Sequence, residues 1–157
     1  MENYMKLELT AIGENESFAR SAVAAFALPL NPSLNEISDI KTAVSEAVTN
    51  CVVHAYRQQA GRIFIECKLF RNEGEDGGVL HISVADEGCG IDNVKQATLP
   101  FFTTLTDSER SGMGFTIMQT FMDEFSVESE KGKGTCVTMS KRVLATENKE
   151  CRERMDA

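Results

Sequence analysis

A chain of 157 residues with 16 basic and 24 acidic side chains, a formal charge of −8 with histidine neutral, is the size of one domain and long enough to bury a core without disulfides or structural metal. Its 42% hydrophobic and 25% charged residues exclude collagen-like, coiled-coil and wholly disordered chains. The acidic balance argues against non-specific nucleic-acid binding, which needs a basic face to displace counterions, and against docking on anionic lipid. No apolar run approaches the roughly 18 residues a spanning helix needs, and Met1-Glu2-Asn3-Tyr4-Met5-Lys6 has no signal pattern, so a cytoplasmic chain is expected. The 5 cysteines are odd in number and never stand at a C-x-x-C spacing, which removes zinc-ribbon and thioredoxin readings. Small buried thiols in a reducing compartment are expected instead.

In chain order, residues 6–11 alternate around Leu7 and Leu9 and predict a short edge strand. Asn15 is placed to cap a helix with Phe18, Ala22, Ala25 and Phe26 on one stripe, ended by Pro29. Ser33 and Glu36 spell a capping box, each side chain bonding the other residue's amide. The helix that follows puts Ile37, Ile40, Val44, Ala47, Val48, Cys51 and Ala55 on one face and runs to Tyr56 or Arg57. Ile63, Ile65, Cys67 and Leu69, then Leu80, Ile82 and Val84, mark two strands joined by the polar loop 72–78. Residues 92–112 show no period and read as a long functional connection. A short helix at 114–122 and a hairpin across Gly132-Lys133-Gly134 follow, with a charged tail after Val143. The order β-α-α-β-β-loop-α-β-β predicts a two-layer α/β sandwich (α+β): a mixed, mostly antiparallel sheet with helices on one face, as one domain over 1–144 and a charged tail over 145–157.

Four constellations can carry chemistry. Glu46 and Asn50 are four apart on the long helix and project together. A carboxylate there can take a hydroxyl proton, and an amide oxygen suits Mg²⁺; alternatively the pair is a solvated polar face. Asp86, Gly88 and Gly90 end a strand, where absent side chains admit a ligand and the carboxylate can accept from an exocyclic amine; a plain turn is the other reading. Arg110-Ser111-Gly112-Met113-Gly114-Phe115 opens a helix whose free amides suit phosphate, or is only a glycine hinge. Gly132-Lys133-Gly134-Thr135 is a hairpin turn that would also present the Thr135 hydroxyl near Asp86. The chain contains no G-x-x-x-x-G-K-[ST], so it is not a P-loop enzyme.

The ordered set resembles the Bergerat-fold (GHKL) ATPases, the superfamily of gyrase, Hsp90, histidine kinases and MutL. Glu46-x-x-x-Asn50 matches the N box, Asp86-x-Gly88-x-Gly90 the first glycine box and Gly112-x-Gly114 the second. Within that superfamily, residues 15–20, 44–50 and 109–115 resemble the anti-sigma F factors of spore-forming bacteria. That family implies an ATP-dependent serine protein kinase that holds sigma factor F inactive and phosphorylates the anti-anti-sigma factor SpoIIAA. The resemblance makes Glu46 the general base and Asn50 the Mg²⁺ ligand. Asp86 would read the adenine amine with help from Thr135, while Gly88 and Gly90 let the chain pass the nucleotide. Gly112 and Gly114 would wrap the triphosphate, with Thr104, Arg110, Met113 and Phe115 also at the nucleotide and 92–112 acting as an ATP lid. Relatives carry lysine and proline after Phe102-Thr103-Thr104, where this chain has Leu105 and Thr106. That departure keeps a second reading open, an ATP-binding module that sequesters a sigma factor without efficient phosphoryl transfer. Neither His54 nor His81 stands as a phosphoacceptor histidine on a separate dimerisation helix, so a histidine kinase is not expected. Arg20 lies off the apolar stripe and is a candidate docking charge, and the exposed first strand and helix are candidate contacts for a homodimer.

Overall fold

The computed structural model describes residues 2–71, 73–99, 113–145 and 154–155. Thr104, Leu105, Arg110, Gly112 and most of the expected lid lie outside them. The elements are β1 (Glu2–Thr10), α1 (Glu14–Ala27), α2 (Leu34–Asn50), β2 (Arg62–Phe70), β3 (Gly78–Asp86), α3 (Val94–Ala97), α4 (Gly114–Phe121), β4 (Glu124–Glu130) and β5 (Gly134–Val143). The five strands form one sheet in the order β1-β2-β3-β5-β4. Every pairing among the described residues is antiparallel: hairpins join β2 to β3 and β4 to β5, and helices intervene between the other two pairs of neighbours.

Strand alternation decides which face is covered. Ile63, Ile65, Cys67 and Leu69 of β2, Leu80, Ile82 and Val84 of β3, and Val137 and Met139 of β5 are all buried under the helices. Each buried branched aliphatic adds about 1.5–3 kcal/mol of transfer free energy. The opposite face carries cross-strand charge pairs such as Lys6–Glu66 at 3.1 Å. β1 is an edge strand as expected, but it starts at Glu2: Glu2 pairs with Phe70 and Thr10 with Arg62, and the length of β2 templates the longer partner.

The face of α1 differs from expectation. Ala19, Val23, Ala24 and Ala27 are buried, Phe26 is half-buried against the core, and Phe18 is 54% exposed. Small side chains at four-residue spacing let α1 lie close to α2, and a phenylalanine in that seam would hold the helices apart. Gly13, not Asn15, stands at the N-cap; the Asn15 side-chain Nδ2 donates to the Thr10 carbonyl at 2.8 Å. Pro29 lies in a tight three-residue turn, Leu28–Leu30, that closes the helix.

α2 begins at the expected capping box: the Glu36 amide donates to Ser33 Oγ at 3.2 Å and the Ser33 amide to Glu36 Oε2 at 2.7 Å. Ile40, Ala43, Val44, Ala47 and Val48 form its buried stripe. The helix does not run straight to Tyr56. Residues Cys51–Ala55 form one π turn, sealed by the Tyr56 amide on the Cys51 carbonyl at 3.1 Å. Such single wide turns inside α-helices occur often at functional sites.

Candidate nucleotide site

Glu46 and Asn50 are half-buried on the flank of α2 that meets α4, so they are not a solvated face. A Cβ placed on Gly114 would stand 3.2 Å from Glu46 Oε2 and 3.3 Å from Asn50 Oδ1. Gly114 therefore lets the first turn of α4 lie directly over the carboxylate–amide pair. Met113 is the N-cap of α4 and its carbonyl accepts the Ile117 amide at 2.8 Å. The amides of the first turn have no partner within the helix and suit an anion. The Phe115 ring packs on Phe125 at 5.8 Å between centroids, so the side chain anchors α4 to β4 and only its amide faces the helix start.

Asp86 closes β3 on the buried face, in register with Thr135 of β5. Its Oδ1 accepts from the Gly88 amide at 2.9 Å and the Thr135 amide at 3.3 Å. Burial lifts the carboxyl above its ordinary 3.8, while those two amides and the Cys51 thiol pull it back. Burial, and after it the Asp86 carboxylate alongside, push the Cys51 thiol well above 9.0, so it is a protonated donor to the carboxylate. The turn after Asp86 is set against the π turn: the Cys89 amide donates to the Ala55 carbonyl at 3.0 Å, and Cys89 Sγ lies 3.3 Å from the His54 carbonyl. Gly88 is required by that approach, because a Cβ there would lie 2.5 Å from the Ala55 oxygen. Gly90, at φ +71, turns the chain beneath the β4–β5 hairpin, where the Gly132 amide donates to the Cys89 carbonyl at 2.7 Å.

Two groups at this turn were not singled out from the sequence. Tyr56 Oη donates to the Arg62 carbonyl at 2.6 Å and accepts from the Glu87 amide at 2.8 Å, tying the residue after Asp86 to the start of β2. Cys51 lies under Asp86, and nothing in its surroundings in the sequence marks it. The expectation of buried thiols holds for Cys51 and Cys67, the latter pushed up to about 12 by burial. It fails for Cys89, which is exposed because it sits in the turn, and Cys136 is intermediate. His81 is on the open face of the sheet, edge-on to Phe70 at 5.5 Å. Arg20 is partly covered, and its charge is answered one turn back by Glu16 at 3.0 Å. Cavities of about 620 and 480 Å³ lie elsewhere, and neither is lined by Glu46, Asp86 or Gly114.

Residues 10–141 match the family described as "Histidine kinase-like ATPase domain". An "Anti-sigma F factor" of Caldanaerobacter subterraneus subsp. tengcongensis is 53% identical over 141 residues, 90% of this chain and 94% of that one. The chain belongs to the anti-sigma F factor family. A second family member, the "Anti-sigma F factor" of Clostridium acetobutylicum, is 49% identical over 148 residues, 94% of this chain and 99% of its own. Among solved structures, a mycobacterial sensor histidine kinase, MprB, superposes with a TM-score of 0.50 at 13% identity, covering 90% of this chain and 100% of that one. That likeness is one of fold. Family membership agrees with the architecture: an antiparallel sheet with helices on one face.

Among the described residues no group of three or more His, Cys, Asp or Glu side chains is placed to hold a metal. The oxygens of Asn50 and Glu46 at the start of α4 are hard donors, and Mg²⁺ commonly takes only one or two protein oxygens and fills the rest with phosphate and water. The donor set therefore fits Mg²⁺ arriving with a triphosphate. No helix among the described residues is long and apolar enough to cross a membrane.

Proposed function

We propose that this chain is a cytoplasmic, ATP- and Mg²⁺-dependent protein serine kinase, built as one domain over 1–144, that also holds sigma factor F inactive. Its phosphoacceptor is a serine of the anti-anti-sigma partner SpoIIAA. The observation that carries the reading is the convergence at Gly114, which stacks a helix N-terminus against Glu46 and Asn50, on the helix whose end packs on the Asp86 turn. Asp86 accepts from the adenine amine, with Thr135 beside it in the same register row. Gly88 and Gly90 let the turn close on the π turn and on the β4–β5 hairpin, and so set the backbone that the nucleotide passes. The amides of Gly114, Phe115 and neighbouring residues cradle phosphate, with Arg110, Gly112, Met113 and Thr104 assigned to the same end. Asn50 would hold Mg²⁺ through its amide oxygen, and the ion would supply charge neutralisation for phosphoryl transfer. Glu46 orients the partner's serine hydroxyl and takes its proton as the oxygen attacks the γ-phosphorus and ADP leaves.

The test is transfer of label from γ-labelled ATP to a serine-bearing SpoIIAA, with ATP affinity measured in parallel. Glu46→Ala is expected to slow transfer about 10²–10⁴-fold while ATP still binds, and chelation of Mg²⁺ is expected to stop it. Transfer at the unmodified rate in Glu46→Ala overturns the general-base assignment. Bound ATP with no transfer by the unmodified protein favours the second reading, a sequestering module in which Leu105 replaces the lysine of relatives. Arg20 is assigned to partner docking, with loss of sigma binding expected in Arg20→Glu. The edge strand β1 and helix α1 are assigned to a homodimer, which sedimentation reads directly.

A further inference from the structure

The row of residues that closes the nucleotide end of the sheet is polar where the row before it is apolar. Val127, Val137 and Val84 are register partners across β4, β5 and β3; two residues further on, Ser129, Thr135 and Asp86 are partners on the same face. Ser129 is part-buried and makes three contacts. It accepts from the Ile91 amide at 2.8 Å, donates to the Gly134 carbonyl at 3.0 Å, and lies 2.8 Å from Thr135 Oγ1. A hydroxyl has one proton and two lone pairs. The Gly134 carbonyl can only accept, so the Ser129 proton goes there. One lone pair is held by the Ile91 amide. The remaining lone pair is satisfied only if Thr135 donates its own proton to Ser129. Thr135 then has no proton left for a ligand and can only accept, in the register row it shares with Asp86.

We propose that Ser129 is a positioning residue that fixes the polarity of the Thr135 hydroxyl and so sets purine selectivity. This rests on the nucleotide site described above and deepens it. With Thr135 ordered as an acceptor, Asp86 and Thr135 present two acceptors to the base. That pair suits the two protons of a 6-amino group and opposes the carbonyl of a 6-oxo purine. Without the Ser129 hydroxyl, Thr135 is free to rotate and donate, which weakens the contact to the amine and admits the carbonyl. Asp86 remains, so selectivity is reduced and not reversed.

The experiment is calorimetric titration of the full chain in Mg²⁺ buffer with ATP and with inosine triphosphate, which differ at the 6-position and share ribose and phosphates. Ser129→Thr keeps a hydroxyl, and Ser129→Val has nearly the same shape without one. In Ser129→Val the ratio of the two dissociation constants is expected to fall about tenfold, the size of one hydrogen bond lost or reversed. Ser129→Thr is expected to keep the ratio within about twofold of the unmodified protein. If Ser129→Val does not fold, Ser129→Ala carries the same measurement. A merely structural role weakens both nucleotides together and leaves the ratio still, and that result overturns the inference. So does loss of the ratio in Ser129→Thr. Failure of the unmodified protein to take up ATP overturns the proposed function and this inference with it, whereas tight ATP binding with an unmoved ratio overturns the inference alone.

Discussion

Gly88→Ala tests how the site is assembled. The added methyl would stand 2.5 Å from the Ala55 oxygen and 2.6 Å from its carbonyl carbon and its Cβ, far inside van der Waals contact. The obstacle is the backbone of the π turn, so no side-chain rotation relieves it. Either the turn after Asp86 lifts or the π turn moves, and the Cys89–Ala55 hydrogen bond of 3.0 Å stretches in both cases. Overpacking of this kind costs about 1–3 kcal/mol and a net hydrogen bond about 1 kcal/mol. A loss of about 3 kcal/mol lowers Tm by about 6–12 °C for a chain of this size. The displacement also moves Asp86, whose Oδ1 is held by the Gly88 amide, so ATP affinity should fall by about tenfold or more, the size of one charge-assisted hydrogen bond. Thermal denaturation followed by circular dichroism reads the first effect, and calorimetric titration with MgATP the second. Gly13→Ala is the control: a Cβ there meets nothing within 4 Å, and its place at the N-cap of α1 limits the cost to about 1 kcal/mol, a Tm fall of about 2–4 °C at most. A Gly88→Ala protein that melts with the control and binds ATP normally would refute the close-packed turn.

Ser33→Ala removes half of the capping box and should cost about 1 kcal/mol, a Tm fall of about 2–4 °C, with ATP affinity unchanged because the box lies at the far end of α2. Tyr56→Phe loses bonds to the Arg62 carbonyl and the Glu87 amide and should cost about 1–2 kcal/mol, while also weakening ATP binding measured by titration, because Glu87 follows Asp86. Asp86→Asn should abolish tight ATP binding yet raise the Tm of the ligand-free protein at neutral pH. The sign follows from burial: the folded carboxyl titrates above 3.8, so below that value both states are protonated and the carboxyl has no effect, and as pH rises through the folded value the destabilisation accrues and then levels off. The gain in Tm from Asp86→Asn should therefore grow with pH over that window, and a gain that shrinks would refute the burial argument.

The long elements were legible because their periods are strong. In α2 and in strands β2, β3 and β5 one face is apolar almost throughout, with Phe64, Phe70 and Val79 as exceptions on the other, and Ser33-x-x-Glu36 marks a start that the structure reproduces. In α1 the alanines at 19, 22, 24, 25 and 27 offer several stripes of equal quality, and Phe18 tips the choice by hydrophobicity where the seam against α2 is decided by size. The first residues of β1 alternate weakly, and pairing with β2 extends the strand beyond its own pattern. Asn93 caps α3, with its Oδ1 accepting from the Gln96 amide at 3.0 Å, in a stretch where no period predicts a helix. Part of the proposed site's geometry was legible: Gly114 lies against Glu46 and Asn50, and Asp86 ends β3 with its carboxylate on the Gly88 amide. Ser129 left a signal that was not read: it falls on the inward parity of Phe125 and Val127 and breaks an apolar alternation.

The π turn left no such signal, yet it lets one helix serve both halves of the site. Glu46 and Asn50 face α4 from the regular part of α2, while the carbonyls of His54 and Ala55, at its end, meet the turn after Asp86. Each residue advances an α-helix by about 100°, so one extra residue in a wide turn changes the phase of all that follows by that amount. In an uninterrupted α-helix, a frame that aims Glu46 and Asn50 at Gly114 would swing the Ala55 carbonyl away from Cys89. The wide turn resolves that conflict in backbone geometry, and backbone geometry of this kind is available to many sequences. The groups proposed for catalysis and for base reading are thereby tied to one helix, so a displacement at Ala55 reaches Asp86 through Gly88 and Glu46 through α2.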